Sequence, residues 1–147
     1  METVNVKVVN EGKQQLPQYA TPQSAGMDLR ANIEEPFLLH PGERHLFPTG
    51  LHIQLPDGYE GQIRPRSGLA LKHGISMVNC VGTLDADYTG DVGVLLINLS
   101  NQCFEVNPGE RIAQLVISPI VQGKWAEVEE LDDTERGDGG FGHSGVK

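Results

Sequence analysis

The chain has 147 residues, with 11 basic and 20 acidic side chains and a formal net charge of −9. One domain is the simplest organisation at this length, burying about two-thirds of the surface its unfolded form exposes. The charge excludes a general affinity for nucleic acid or anionic membrane, which needs a basic field; a small anionic substrate stays open where arginines, backbone donors or a divalent cation cluster locally. No apolar run is long enough for a transmembrane span, and the N-terminus lacks the basic and apolar regions of a signal peptide. Cys80 and Cys103 form neither a C-x-x-C motif nor a dense framework. Reduced thiols in a cytoplasmic protein are the expectation.

Taken in order, Val4, Val6 and Val8 alternate with Asn5 and Lys7 and predict an opening strand with one buried face. Residues 16–22 carry two prolines and read as loop. Short strands are expected over 25–31, 36–40, 44–47, 51–55 and 59–64, punctuated by Pro41-Gly42, Pro48-Thr-Gly50 and Pro56-Asp-Gly58. Residues 67–74 form the one helical stretch, with Ser67 expected as N-cap, Lys72 and His73 in the last turn and Gly74 ending it. Further strands are expected over 75–79, 104–106, 111–119 and 125–131. Val92 to Asn98 is β-branched and apolar, and reads as a strand buried on both faces. Short strands broken by Gly and Pro at this spacing predict an all-β sandwich or barrel over residues 1–131. From Asp132 the composition shifts to a segment with five glycines and a single Phe. It cannot build a core and is expected to be a mobile segment, 132–147.

Three stretches carry chemistry. Ahead of the apolar strand, Gly82, Thr83, Asp85, Asp87, Tyr88, Thr89 and Gly90 bring turn residues and two carboxylates. At period two, Asp85 and Asp87 share one side while Leu84 and Ala86 take the other. A strand-anchored site and a hairpin tip that merely turns the chain are both open. In Arg64-Pro-Arg-Ser-Gly68, two arginines precede a helix start. Phosphate could sit there, with Arg66 and the Ser67 hydroxyl as donors, or Ser67 could be a cap beside solvated arginines. In the tail, Arg136 and Phe141 interrupt an otherwise featureless run; they could close over phosphate and base, or belong to a solubilising terminus. The five histidines show no metal spacing, which disfavours a structural zinc site or a zinc deaminase. Asp28 could serve a hard cation that bridges phosphates and water.

Five stretches now lie in one order: S-A-G-M-D-L-R-A (24–31), R-P-R-S-G-L-A (64–70), V-G-T-L-D-A-D-Y-T-G (81–90), G-E-R-I-A-Q-L-V-I (109–117) and R-G-D-G-G-F-G-H-S-G (136–145). Together they closely resemble the trimeric deoxyuridine triphosphate nucleotidohydrolase (dUTPase) family, over nearly the whole chain. The resemblance implies a compact, jelly-roll-like (β-clip) all-β subunit in a homotrimer, with active sites shared between chains. It implies hydrolysis of dUTP to dUMP and pyrophosphate with Mg2+, limiting uracil in DNA and supplying dUMP for thymidylate synthesis.

Residue by residue, it implies that Asp85 activates the attacking water and that Tyr88 lies under the deoxyribose. Asn79 and the backbone of Thr83, Leu84 and Asp85 resemble the hairpin that reads the uracil edge. Arg66, Ser67, Gly68 and Gln114 resemble the phosphate contacts, with Gly93 and Gly142 also assigned to substrate binding. Asp28 is similar to the aspartate that touches magnesium through water, and Arg136 and Phe141 match a tail reaching in from a neighbouring chain. The chain departs from the family where His143 and Ser144 follow Gly142, in place of the usual Ser-Thr, and where Thr89 replaces a frequent arginine. The nearest alternative is a dCTP deaminase, similar in fold class; another is a non-catalytic β-sandwich that binds nucleotides or a protein partner. The complete tail weighs against the first. Retention of Asp85 beside the phosphate motif weighs against the second.

Overall fold

The computed structural model describes the whole chain, residues 1–147. It holds eleven strands and one helix: β1 (Lys7–Asn10), β2 (Gly26–Arg30), β3 (Phe37–Leu39), β4 (Arg44–Phe47), β5 (Leu51–Gln54), β6 (Tyr59–Arg64), α1 (Ser67–His73), β7 (Ile75–Met77), β8 (Gly82–Leu84), β9 (Val94–Asn98), β10 (Phe104–Val106) and β11 (Arg111–Pro119). Every ladder is antiparallel. A four-stranded sheet runs β2-β11-β6-β8, a three-stranded one β4-β9-β7, and two ribbons pair β1 with β5 and β3 with β10. The all-β, jelly-roll-like expectation holds.

Alternation builds the core. Leu51 and Ile53 of β5, Ile75 and Met77 of β7, and Val94, Leu96 and Asn98 of β9 turn inward while the residues between them are more open. One cluster of 18 buried residues draws on every strand except β1, with Phe47, Leu29 and Leu39 fully enclosed. Burying a side chain of that size contributes about 1.5–3 kcal/mol. Asn98 is the polar exception. Its Nδ2 donates to the carbonyls of Leu39 (2.9 Å) and Gln102 (2.7 Å), and its Oδ1 accepts from the Ser100 amide and hydroxyl, so the amide is fully satisfied where it is buried.

Four expectations are corrected. Strand β9 alternates between buried and half-buried side chains, because it lies inside one sheet with a single face on the core. The opening strand starts later, at Lys7; Val6 packs against the core but Val8 is exposed. Residues 125–131 form no strand: beyond Ile120 no backbone hydrogen bond joins them to a sheet, and Trp125 is exposed. Ser67 is the first helical residue; Arg66, extended at φ −90° and ψ 132°, occupies the cap without a side-chain bond. At the other end Gly74 adopts φ 65°, a left-handed cap that a Cβ would strain, and its amide closes onto Ala70 and Leu69.

Candidate active site

The four-stranded sheet assembles the phosphate motifs. Gln114 of β11 stands opposite Asp28 of β2 on one side and Arg64 of β6 on the other. Its Nε2 donates to the Pro65 carbonyl (3.0 Å), which steadies the turn into Arg66. Arg66 Nε reaches Asp28 Oδ1 at 3.1 Å, and Arg111 Nη1 reaches Asp28 Oδ2 at 3.3 Å. A second Arg66 donor is held by the Arg111 carbonyl (3.3 Å). Two guanidiniums therefore flank one carboxylate on a half-open surface. The exposed Ser67 hydroxyl makes no hydrogen bond within the chain, and nothing crowds Gly68.

Arg111 is the member that sequence reasoning passed over. In a regular strand Arg111 and Gln114, three apart, would face opposite sides of the sheet. The β2–β11 register shifts between Arg111 and Ala113, leaving Ile112 unpaired. That bulge turns Arg111 onto the Asp28 side while burying both Ile112 and Ala113. The adjacent apolar pair Ile112-Ala113, breaking the alternation, is the sequence signal for it.

The Asp85 stretch lies elsewhere. β8 pairs with β6, whereas β9 pairs with β4 and β7, so residues 85–93 form a loop joining two sheets and not a hairpin tip. Asp85 follows β8 directly, exposed and without an ion pair inside this chain. Leu84 is buried and paired with Gly61 of β6, while Thr83 and Asn79 are exposed. The Tyr88 amide bonds the Asp85 carbonyl (3.1 Å), and the phenol donates to the Asp91 carbonyl (2.9 Å). This puts the ring across Gly90, where an added Cβ would lie 2.6 Å from Tyr88 Cζ. Gly93 is equally confined: a Cβ there would meet Leu46 at 2.8 Å. The Asp91 carboxylate accepts the amides of Thr49 (3.1 Å) and Gly50 (2.8 Å), anchoring the loop to the start of β5. Gly90 and Asp91 are thus supports for Tyr88 that their sequence neighbours do not announce.

The two groups do not meet within one chain. Leu84 is level with Gly61 of β6. Asp85 therefore sits roughly 20 Å along the ladder from Arg66, at about 3.3 Å per residue. The tail meets neither. Beyond Ile120, whose amide bonds the Gly58 carbonyl, no hydrogen bond or ion pair ties it to the strands. Arg136 Nε turns back to the Gly139 carbonyl (2.7 Å), and Phe141 stands fully exposed at φ 39° with Gly142 and His143 beside it. No group of three or more His, Cys, Asp or Glu side chains is placed to hold a metal.

A family model described as dUTPase matches residues 12–145. The chain is 55% identical over 145 residues to the deoxyuridine 5'-triphosphate nucleotidohydrolase of Fusobacterium nucleatum, covering 99% of each. It is 56% identical over 133 residues to that of Chlamydia pneumoniae, covering 90% of this chain and 92% of the relative. Among solved structures it is similar to the Staphylococcus bacteriophage 80alpha dUTPase with dUPNHPP, with TM-score 0.85 and 29% identity over 98% of this chain and 100% of that one. Fold and relatives together define an all-β nucleotide hydrolase. The chain belongs to the dUTPase family.

Proposed function

We propose that this enzyme hydrolyses dUTP to dUMP and pyrophosphate in the cytoplasm, as a homotrimer whose sites are shared between chains. The observation that carries the reading is the joining of Arg66 and Arg111 through Asp28, with Gln114 steadying the turn that leads to the exposed Ser67, a set of donors suited to phosphate oxygens. Its separation from Asp85 supports a shared site. So do the exposed Trp125, Leu131 and Phe141, which one subunit leaves without partners.

Water held by Asp85 attacks the α-phosphorus. The new P–O bond forms as the bond to the β-phosphate oxygen breaks, the water proton passes to the Asp85 carboxylate, and pyrophosphate leaves with the bonding pair. General-base assistance of this kind contributes about 10²- to 10⁴-fold. Arg66 and Ser67, with Arg136 from a closing tail, neutralise the phosphates, which offsets locally the field of a chain with charge −9. Asp28, a single carboxylate on the half-open surface, is the residue that would hold a magnesium ion brought in with the triphosphate. Bound there, the ion would supply charge neutralisation for the leaving group. Tyr88 packs under the deoxyribose, and the backbone of Thr83 to Asp85 with Asn79 reads the uracil edge. Cytosine leaves those fixed donors and acceptors unpaired. The products limit uracil incorporation into DNA and feed thymidylate synthesis.

Pyrophosphate release from dUTP with magnesium, run beside dCTP and dTTP, tests this. Release from dUTP alone is expected. Ammonia from dCTP, or no turnover of dUTP, would overturn it.

A further inference from the structure

His52 lies on β5, outside every motif the function absorbs, with its ring about a third exposed. Its Nδ1 is 3.0 Å from the Thr89 carbonyl, and its Nε2 is 3.2 Å from Glu11 Oε2. Both partners only accept. A neutral imidazole has one N–H, so whichever nitrogen donates, the other aims its lone pair at an oxygen. The geometry is satisfied only when both nitrogens carry protons. The Thr89 carbonyl first, then the Glu11 and Asp91 carboxylates, hold the ring's pKa above its ordinary value, against partial burial.

The segments tied this way are otherwise distant in sequence. Glu11 follows β1, and its amide bonds the Gly50 carbonyl (2.8 Å). Thr89 adjoins Tyr88, whose ring already hangs from the Asp91 carbonyl. The charged and titratable groups around the ring are Glu11, Lys7 on the same face of β1 by register, and Asp91 and Tyr88 from the loop. The Asp91 carboxylate is engaged by the Thr49 and Gly50 amides, so Glu11 is the free counter-charge.

We propose that His52 is a positioning residue for the substrate pocket: as an imidazolium it bridges Glu11 and the Thr89 carbonyl, holds Tyr88 in place, and lets productive dUTP binding weaken as its proton is lost. This rests on the reading of Tyr88 as a substrate contact. The sign follows from the raised folded-state value. The stabilisation is fully present below the unfolded value of about 6.5 and is lost as pH rises through the folded one.

The test uses the full-length protein. Imidazole nitrogen NMR should show His52 doubly protonated at pH 6.5, with a midpoint above that of a free histidine. The Tyr88 and Thr89 amide signals should follow the same midpoint. His52→Asn keeps a neutral donor for Thr89. Relative to it, wild-type kcat/KM for dUTP should decline by about threefold or more from pH 6 to pH 9, mostly through KM, since a charge-assisted bond is roughly twice as strong as a neutral one. Glu11→Gln should move that decline to lower pH. A His52 midpoint at or below 6.5, Tyr88 and Thr89 signals that ignore it, or a flat ratio would each overturn the proposal. Failure of wild type to hydrolyse dUTP would instead count against the substrate assignment, and the NMR midpoints alone would then decide the clamp.

Discussion

Asp85 and Asn98 show how differently two polar side chains can be held. Asp85 is exposed and unpaired, so its carboxylate is available to water and its removal disturbs no packing. Asp85→Asn should leave folding and assembly unchanged and lower dUTP turnover by at least about 100-fold, measured as pyrophosphate release. Near-normal turnover would remove Asp85 from the mechanism. Asn98 is fully enclosed and makes four hydrogen bonds with both ends of its amide. Asn98→Leu would leave the Leu39 and Gln102 carbonyls without that donor, and Ser100 without its acceptor. A loss of about 2–4 kcal/mol in urea unfolding is expected. A variant within 1 kcal/mol of wild type would show that water takes over those bonds.

Among the elements, β11 and the tail divide the work. β11 is the central strand that aligns Asp28, Gln114 and Arg64, and its bulge at Ile112 recruits Arg111. The tail holds no hydrogen bond to the strands beyond Ile120. A chain ending at Asp133 should therefore keep the circular dichroism and urea midpoint of the full protein. On the proposed closure by Arg136 and Phe141, which would stabilise the transition state more than the ground state, its turnover should fall severely while dUTP affinity suffers less. Full activity after truncation would contradict the lid. The expected strand over 125–131 shows the limit of apolar alternation: it becomes a strand only where the segment docks on an edge, and residues 121–131 make no backbone hydrogen bond to any strand.

The molecule as one subunit leaves its chemistry in two places, with Asp85 roughly 20 Å along the ladder from Arg66. A trimer is expected by light scattering, at three times the 16.0 kDa of one chain. Trp125 is the only tryptophan and is 99% exposed here. Its emission should be blue-shifted in the assembled protein and move red on dilution to subunits. Emission typical of water at all concentrations would place Trp125 outside any interface. Most strand positions, the helix with its Gly74 stop and the five motifs were legible in the sequence, because period-two burial, turn residues and the order of motifs are local or linear properties; the strand at Gly82–Leu84, read as turn residues, and the absence of one over 125–131 were not. The bulge at Ile112, the assignment of β8 and β9 to different sheets, and the meeting of His52 with Glu11 and Thr89 were not. Each depends on which strands pair and in what register, and that is decided by packing one core from residues far apart in the chain.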